Sequence, residues 1–152
     1  MHEHVMRVRT ADQRDIPLLL TLYRHLNSED PAIFPDVACE NLEVLKRYPG
    51  SDIFTGFLGD DLVSTCALVV IPNFTRGGAP YALIENVVTD PAHRNKGYGK
   101  AVLKAATEQA WRVGCYKVML LTGSKRPSTL KFYQDAGFEQ NKTGFQMRRK
   151  PQ

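Results

Sequence analysis

Along the chain, apolar and polar residues first alternate, then recur every three to four positions, then alternate again. Val5 to Arg9 (VMRVR) reads as a strand. From about Asp15 to Leu26 the spacing predicts a helix, with Ile16, Leu19, Leu22, Tyr23 and Leu26 on one face and Asp12 as its cap. NSEDPAIFPD interrupts it with two prolines, and a second helix is expected over Val37 to Arg47, ending before Pro49-Gly50. Ile53 to Leu58 and Leu62 to Ile71 then read as strands joined at Gly59-Asp60, a hairpin signal. After the loop IPNFTRGGAP comes a third long strand, Tyr81 to Val88. Helical spacing returns from about Gly97 to Val113, burying Val102, Leu103, Ala106, Ala110 and Val113, and Gly114 stops it as a left-handed cap. Tyr116 to Leu121 reads as a short strand, Ser128 to Ala136 as a helix and Lys142 to Arg149 as a last strand.

Hairpins come early and strands alternate with helices late. That order predicts an α/β (α+β) fold whose mixed sheet has an antiparallel half and a parallel step. The 152 residues contain no repeat or linker and fit one domain over 1–152, with residues 1–4 expected to fray, including His2-Glu3-His4. Composition changes little: 43% hydrophobic and 24% charged residues are ordinary for a globular protein. The longest apolar run, Ala67 to Ile71, is far too short to span a bilayer, and MHEHVMRVRT lacks the apolar core of a signal peptide. No membrane partner is expected. Cys39, Cys66 and Cys115 are odd in number and far apart, which fits idle thiols in a reducing cytoplasm and no metal. A net charge of +4 permits nucleic acid, but an anionic small molecule explains it as easily.

The stretch RNKGYGK, Arg94 to Lys100, is where that charge gathers. Glycines at a helix start let a ligand reach the backbone, and the free N–H groups and helix dipole there attract phosphate. A dinucleotide fingerprint fails on two counts: its third small residue would be Val102, and its ribose-binding acid would be Lys117. A phosphate-cradling GxxxxGK[ST] loop does not occur. A plain turn would also use two glycines, yet the preceding strand and the basic flanks favour phosphate.

Arg94-Asn95-Lys96-Gly97-Tyr98-Gly99 resembles the R/Q-x-x-G-x-G/A motif of the GCN5-related N-acetyltransferase (GNAT) family. IENVVTDPAHR resembles that family's fourth strand and turn, GCYKVMLLT its fifth strand, and LKFYQDAGF its x-x-FY-x-x-x-GF helix. The resemblance spans Tyr81 to Phe138 with the motifs in the family's order, and the earlier elements fit its layout by pattern. It implies a mixed sheet of about six to seven strands flanked by about four helices. It also implies an enzyme that uses acetyl-coenzyme A, without a metal, to acetylate a primary amine of a small molecule or peptide. Arg94, Asn95, Lys96, Gly97, Tyr98, Gly99 and Lys100 would hold the coenzyme pyrophosphate. Val87 and Val88 would pair their backbone with the amide-bearing pantetheine arm, as an added strand does. Arg126 and Ser128 are further candidate coenzyme contacts. Many relatives carry Asn near Arg126 and Ala where this chain has Thr129.

Two side chains are candidates for the chemistry. An ammonium of pKa about 10 must lose a proton before it attacks. Glu85 lies 12 positions before Gly97 on the strand expected to flank pantetheine, so it is the candidate base, directly or through water. A Glu here followed by an acid or amide resembles the glucosamine-phosphate acetyltransferases, which have Asp where this chain has Asn86. Plain alternation sets Leu83, Glu85 and Val87 on one face and Ile84, Asn86 and Val88 on the other. A structural Glu paired with Arg or Lys is the competing reading. Tyr133, the tyrosine of the FY pair, would protonate the departing thiolate, since a phenol near pKa ~10 can serve a thiolate near ~8.5. Alternatively, Phe132 and Tyr133 simply pack their helix.

Two other classes stay open at this stage. A non-catalytic coenzyme A-binding sensor would need neither Glu85 nor Tyr133. A nucleic-acid module would need an aromatic and basic stripe that the chain lacks. The acceptor is not specified: Glu29, Asp30, Asp36 and Glu40 could attract an amine, while Arg76 could hold a phosphate or carboxylate. Relatives often form homodimers, so the resemblance allows one here.

Overall fold

The computed structural model describes residues 5–150, so the expected fraying of residues 1–4 lies outside the described residues. Two compact units emerge, one ending at Leu120 and the other beginning at Leu121.

The first unit is a five-stranded sheet with three helices. Its elements run β1 (Arg7–Thr10), a 3₁₀ turn (Gln13–Asp15), α1 (Ile16–Tyr23), α2 (Pro35–Arg47), β2 (Asp52–Leu58), β3 (Asp61–Ile71), β4 (Tyr81–Thr89), α3 (Tyr98–Arg112) and β5 (Val118–Leu120). The strands lie in chain order, β1 to β4 antiparallel and β5 parallel to β4. The parallel step is the one that needs a crossover, and α3 supplies it. Gly114 ends α3 at φ 87°: its N–H reaches the Trp111 carbonyl while Cys115 N–H reaches that of Ala110. This is the left-handed stop expected of a glycine at that place.

The two faces of the sheet are covered differently. Cys66 directs its thiol at the Val102 carbonyl of α3, so the even positions of central β3 from Ser64 onward face α3, while a register shift beside Phe57 turns Leu62 to the other face. Val102, Leu103, Ala106 and Ala110 are fully buried, the alanines being small enough to bring α3 close to the strands, whereas Val113, expected with them, is exposed at the helix end. Burial pushes the Cys66 thiol up to about 12, leaving it a packing group. On the opposite face Ile16, Leu19 and Leu22 of α1 and Ala38 and Leu42 of α2 cluster with Phe57, Leu62 and Val88.

The 3₁₀ turn that leads into α1 is closed by carboxylates, so Asp12 caps that turn and not α1 itself. Asp12 accepts from Arg14 N–H while Asp15 accepts from Asp12 N–H, and Arg9 forks onto buried Asp15 at 2.6 and 2.8 Å. The helix ends at Tyr23, short of the expected Leu26, because His25 and Leu26 bond three residues back in turns.

The second unit holds α4 (Pro127–Asp135). Gly137, at φ 100°, donates to Gln134 and Phe138 donates to Tyr133, closing the helix end while the Tyr133 and Phe138 rings meet edge to face. The described residues therefore carry five strands and four helices, fewer strands than the six to seven expected. The missing strand is Lys142 to Arg149. No ladder forms there, Phe145 and Met147 stay exposed, and Gly144 lies so tight on Leu121 that a Cβ would collide with it. Alternation alone does not make a strand without a neighbour to complete its backbone hydrogen bonds.

Candidate active site

The site is built on β4, whose two halves differ. Ala82, Leu83 and Ile84 pair with Val118, Met119 and Leu120, and there β5 ends. Beyond it Glu85 to Thr89 continue with β3 on one side and no described strand on the other. An unpaired strand edge presents N–H and C=O groups to whatever extended chain enters. Val87 and Val88, the residues expected to meet pantetheine, lie in this open stretch.

A bulge sits within it. Ala67 faces Glu85 and Thr65 faces Val88, so Asn86 and Val87 together oppose Cys66. Asn86 takes φ 53°, a left-handed conformation that Asn tolerates better than most residues. The insertion corrects the simple alternation: Glu85 and Val88 share the face away from α3, where Glu85 had been grouped with Val87 and opposite Val88. Asp and Asn are among the residues enriched in left-handed backbone, which gives the side chain following Glu85 a backbone role that charge does not affect. Glu85 itself is exposed, and among the described residues its side chain makes no ion pair or hydrogen bond. A carboxylate paired for structural reasons would have shown a cation there.

The glycine loop follows β4 after one 3₁₀ turn, Pro91–His93. Asn95 and Gly97 both adopt left-handed backbone, at φ 62° and 83°, turning the chain so that α3 starts at Tyr98. A Cβ on Gly97 would meet nothing within 4 Å, so that glycine serves the conformation and leaves open space beside it. The first bond into α3 runs from Ala101 N–H to the Gly97 carbonyl. Tyr98, Gly99 and Lys100 thus carry N–H groups with no acceptor within the helix. No side chain caps this end and no acid occupies its first turn, while Arg94, Asn95, Lys96 and Lys100 are exposed around it. Gly99 is buried in the first turn. Positive side chains beside a positive helix end repel one another until an anion arrives, so the geometry fits a pyrophosphate.

The remaining candidates lie in the second unit. Arg126 precedes α4, and its N–H donates to Ser124 Oγ, which also bonds Thr129 Oγ1 at 3.0 Å. Ser128 is in the first turn. The Tyr133 ring packs edge to face on Phe132, centroids 5.0 Å apart, as well as on Phe138. Sequence reasoning did not find the bulge at Asn86; an Asn inside an otherwise apolar strand was the available signal. It also missed the grouping of Tyr81, Tyr116 and Lys117, which no sequence spacing announces.

The model of the acetyltransferase (GNAT) family matches residues 19–138. A glucosamine 6-phosphate N-acetyltransferase from Trypanosoma brucei brucei is 33% identical over 135 residues, covering 88% of each chain. A solved Agrobacterium tumefaciens protein described as an acetyltransferase is 45% identical, with TM-score 0.87 over 94% of this chain and 99% of that one. A Trypanosoma brucei acetyltransferase structure is 28% identical, with TM-score 0.81 over 95% of this chain and 100% of its own. The chain is therefore an N-acetyltransferase, and it belongs to the GNAT acetyltransferase family.

Proposed function

We propose that the chain works as a single N-acetyltransferase domain that carries acetyl from acetyl-coenzyme A to the primary amine of a phosphorylated amino sugar, glucosamine 6-phosphate being the model acceptor. The observation that carries the reading is the exposed, unpaired Glu85 on the open half of β4, a short way upstream of an uncapped basic helix start. The sugar-phosphate acceptor is supported by the named activity of the Trypanosoma relative.

In this reading the pyrophosphate rests on the N–H groups from Asn95 to Lys100, and pantetheine lies along Val87 and Val88. Glu85 takes a proton from the ammonium through a water molecule, leaving a nitrogen lone pair. That nitrogen attacks the thioester carbonyl, an N–C bond forms and the C–S bond breaks as the tetrahedral centre collapses. The departing thiolate receives its proton from Tyr133, whose phenolate is reprotonated from solvent. The nitrogen sheds its second proton to solvent as the amide forms, and Glu85 returns the first proton there, so one proton is released for each thiol formed.

The test is thiol release by purified protein with acetyl-coenzyme A and glucosamine 6-phosphate, in parallel with neutral glucosamine. Glu85→Gln keeps the shape and removes the base, so turnover should fall about 10²-fold at neutral pH and recover as pH approaches the amine pKa. Tyr133→Phe should lower turnover with little change in melting temperature, and less so for an acyl donor with a better leaving group. Coenzyme binding without thiol release from any amine would point instead to a non-catalytic coenzyme A-binding module.

A further inference from the structure

The face of β4 that carries Glu85 continues toward the start of the strand as an open floor. Tyr81, Leu83 and Glu85 alternate onto it. Leu83 stands opposite Met119 and Ala82 opposite Val118 in the parallel pair, so Met119 and Lys117 belong to the same face. Glu85 is exposed, and Tyr81, Leu83, Lys117 and Met119 are only half-buried. At its far end the Tyr81 and Tyr116 rings meet edge to face with centroids 6.5 Å apart. The Lys117 ammonium lies 5.4 Å from the first ring and 5.3 Å from the second, and the Arg76 guanidinium lies 5.4 Å from the Tyr116 ring.

Two cations thus share one aromatic ring. Among the described residues no carboxylate stands within ion-pair distance of either, and neither side chain makes a hydrogen bond. Arg76 is also held in an unfavourable backbone. It adopts φ 54° and is followed by Gly77 and Gly78 at 67° and 85°. The turn is fastened by Asn73, whose amide donates to the Thr75 carbonyl, the Thr75 hydroxyl and the Ala79 carbonyl. Left-handed backbone at a non-glycine residue is costly and persists only where the surroundings impose it.

We infer that Arg76 and Lys117, ordered against Tyr81 and Tyr116, seat the anionic group of the acceptor whose amine is served at Glu85. The inference rests on the proposed transfer to an amine at Glu85. Tyr81 and Glu85 are four residues apart on one strand, roughly 13 Å at about 3.3 Å per residue. Carboxylate at one end, apolar Leu83 and Met119 between, and paired cations at the other match a compact molecule with an amine and a distant anion. An amino sugar phosphorylated on the carbon far from its amine has that layout, with one water joining the amine to Glu85. An α-amino acid places its carboxylate a single carbon from its amine and cannot reach. A polyamine would bring a second positive charge onto Arg76 and Lys117.

Two measurements separate the fate of this seat from that of the acceptor reading. In steady-state assays Lys117→Gln and Arg76→Gln should each raise KM for glucosamine 6-phosphate about tenfold or more, through loss of a charge-assisted contact. The preference for the phosphorylated sugar over glucosamine should fall in step, while acetyl-coenzyme A affinity by calorimetry stays at the wild-type value. Wild-type KM and preference in both variants would overturn the seat while leaving the acceptor reading intact. Should the wild-type protein fail to acetylate glucosamine 6-phosphate, that reading falls, and NMR titration with inorganic phosphate judges the seat. Shifts at Tyr81, Tyr116 and Lys117 that vanish in Lys117→Gln uphold it; shifts elsewhere or none overturn it.

Discussion

Two helical segments of this protein begin among basic side chains, and they are finished in opposite ways. At the turn leading into α1, Asp12 and Asp15 satisfy each other's backbone, Arg9 forks onto Asp15 and Arg14 onto Asp12. At the start of α3, Gly97 offers no cap, the first turn has no acid, and Arg94, Lys96 and Lys100 have no anionic partner among the described residues. Charge of one sign therefore has two meanings. Where the chain supplies the anion, the arginines hold the fold; where it withholds one, the helix end and its cations are left for a ligand.

Substitutions should separate those meanings. The largest effect is expected from Gly99→Val, which puts a branched side chain in the first turn of α3: acetyl-coenzyme A affinity by calorimetry should drop on the order of 100-fold. An unchanged affinity in the folded variant would remove the anion assignment. Asp15→Asn should do the reverse, lowering stability by about 1–3 kcal/mol in chemical denaturation, because Arg9 loses its partner, with coenzyme affinity untouched. If Asp15→Asn weakened the coenzyme instead, the contrast between the two helix starts would collapse.

Acid should act on the first start. The Arg14 side chain and N–H hold the Asp12 carboxyl down at about 2, and the Arg9 guanidinium holds Asp15 below the ordinary carboxylate range. Folded-state values lower than unfolded ones mean that this stabilisation is present above the ordinary carboxylate value of 3.8 and disappears as pH falls toward 2. Melting curves between those limits should show the loss, and Asp15→Asn should flatten it. The smallest effect tests the second start. Lys100→Glu gives α3 the acid it lacks, so stability should rise by about 0.3–1 kcal/mol while coenzyme binding weakens. A variant that bound coenzyme better would show that the site wants no anion.

How much of this was readable in advance follows from the range of each interaction. Gly114 as a stop, the buried spacing of Val102, Leu103, Ala106 and Ala110, and the glycine loop before α3 are set by neighbours within a turn or two, and they stand where the pattern placed them. The extra strand over Lys142 to Arg149 had an equally regular pattern and formed no ladder. Its alternation described two faces without specifying a neighbour. Glu85 was identifiable by its place on the strand, but the face it occupies was not, since the bulge exists only relative to Cys66 across the sheet.

By itself the amino-acid sequence determined most of the elements, the glycine stop of α3 and the family, because helix periods, turn residues and a motif of adjacent positions are local properties of the chain. The tertiary structure decided which backbone stays unpaired and which side chains meet. β5 stops beside Ile84 and leaves the rest of β4 open on that side. A loop arginine, the first residue of a strand and the two residues leading into another converge on a single aromatic cluster. Strand pairing and cation–ring contact depend on positions about 40 residues apart being brought together by the fold, and no window of sequence contains both partners.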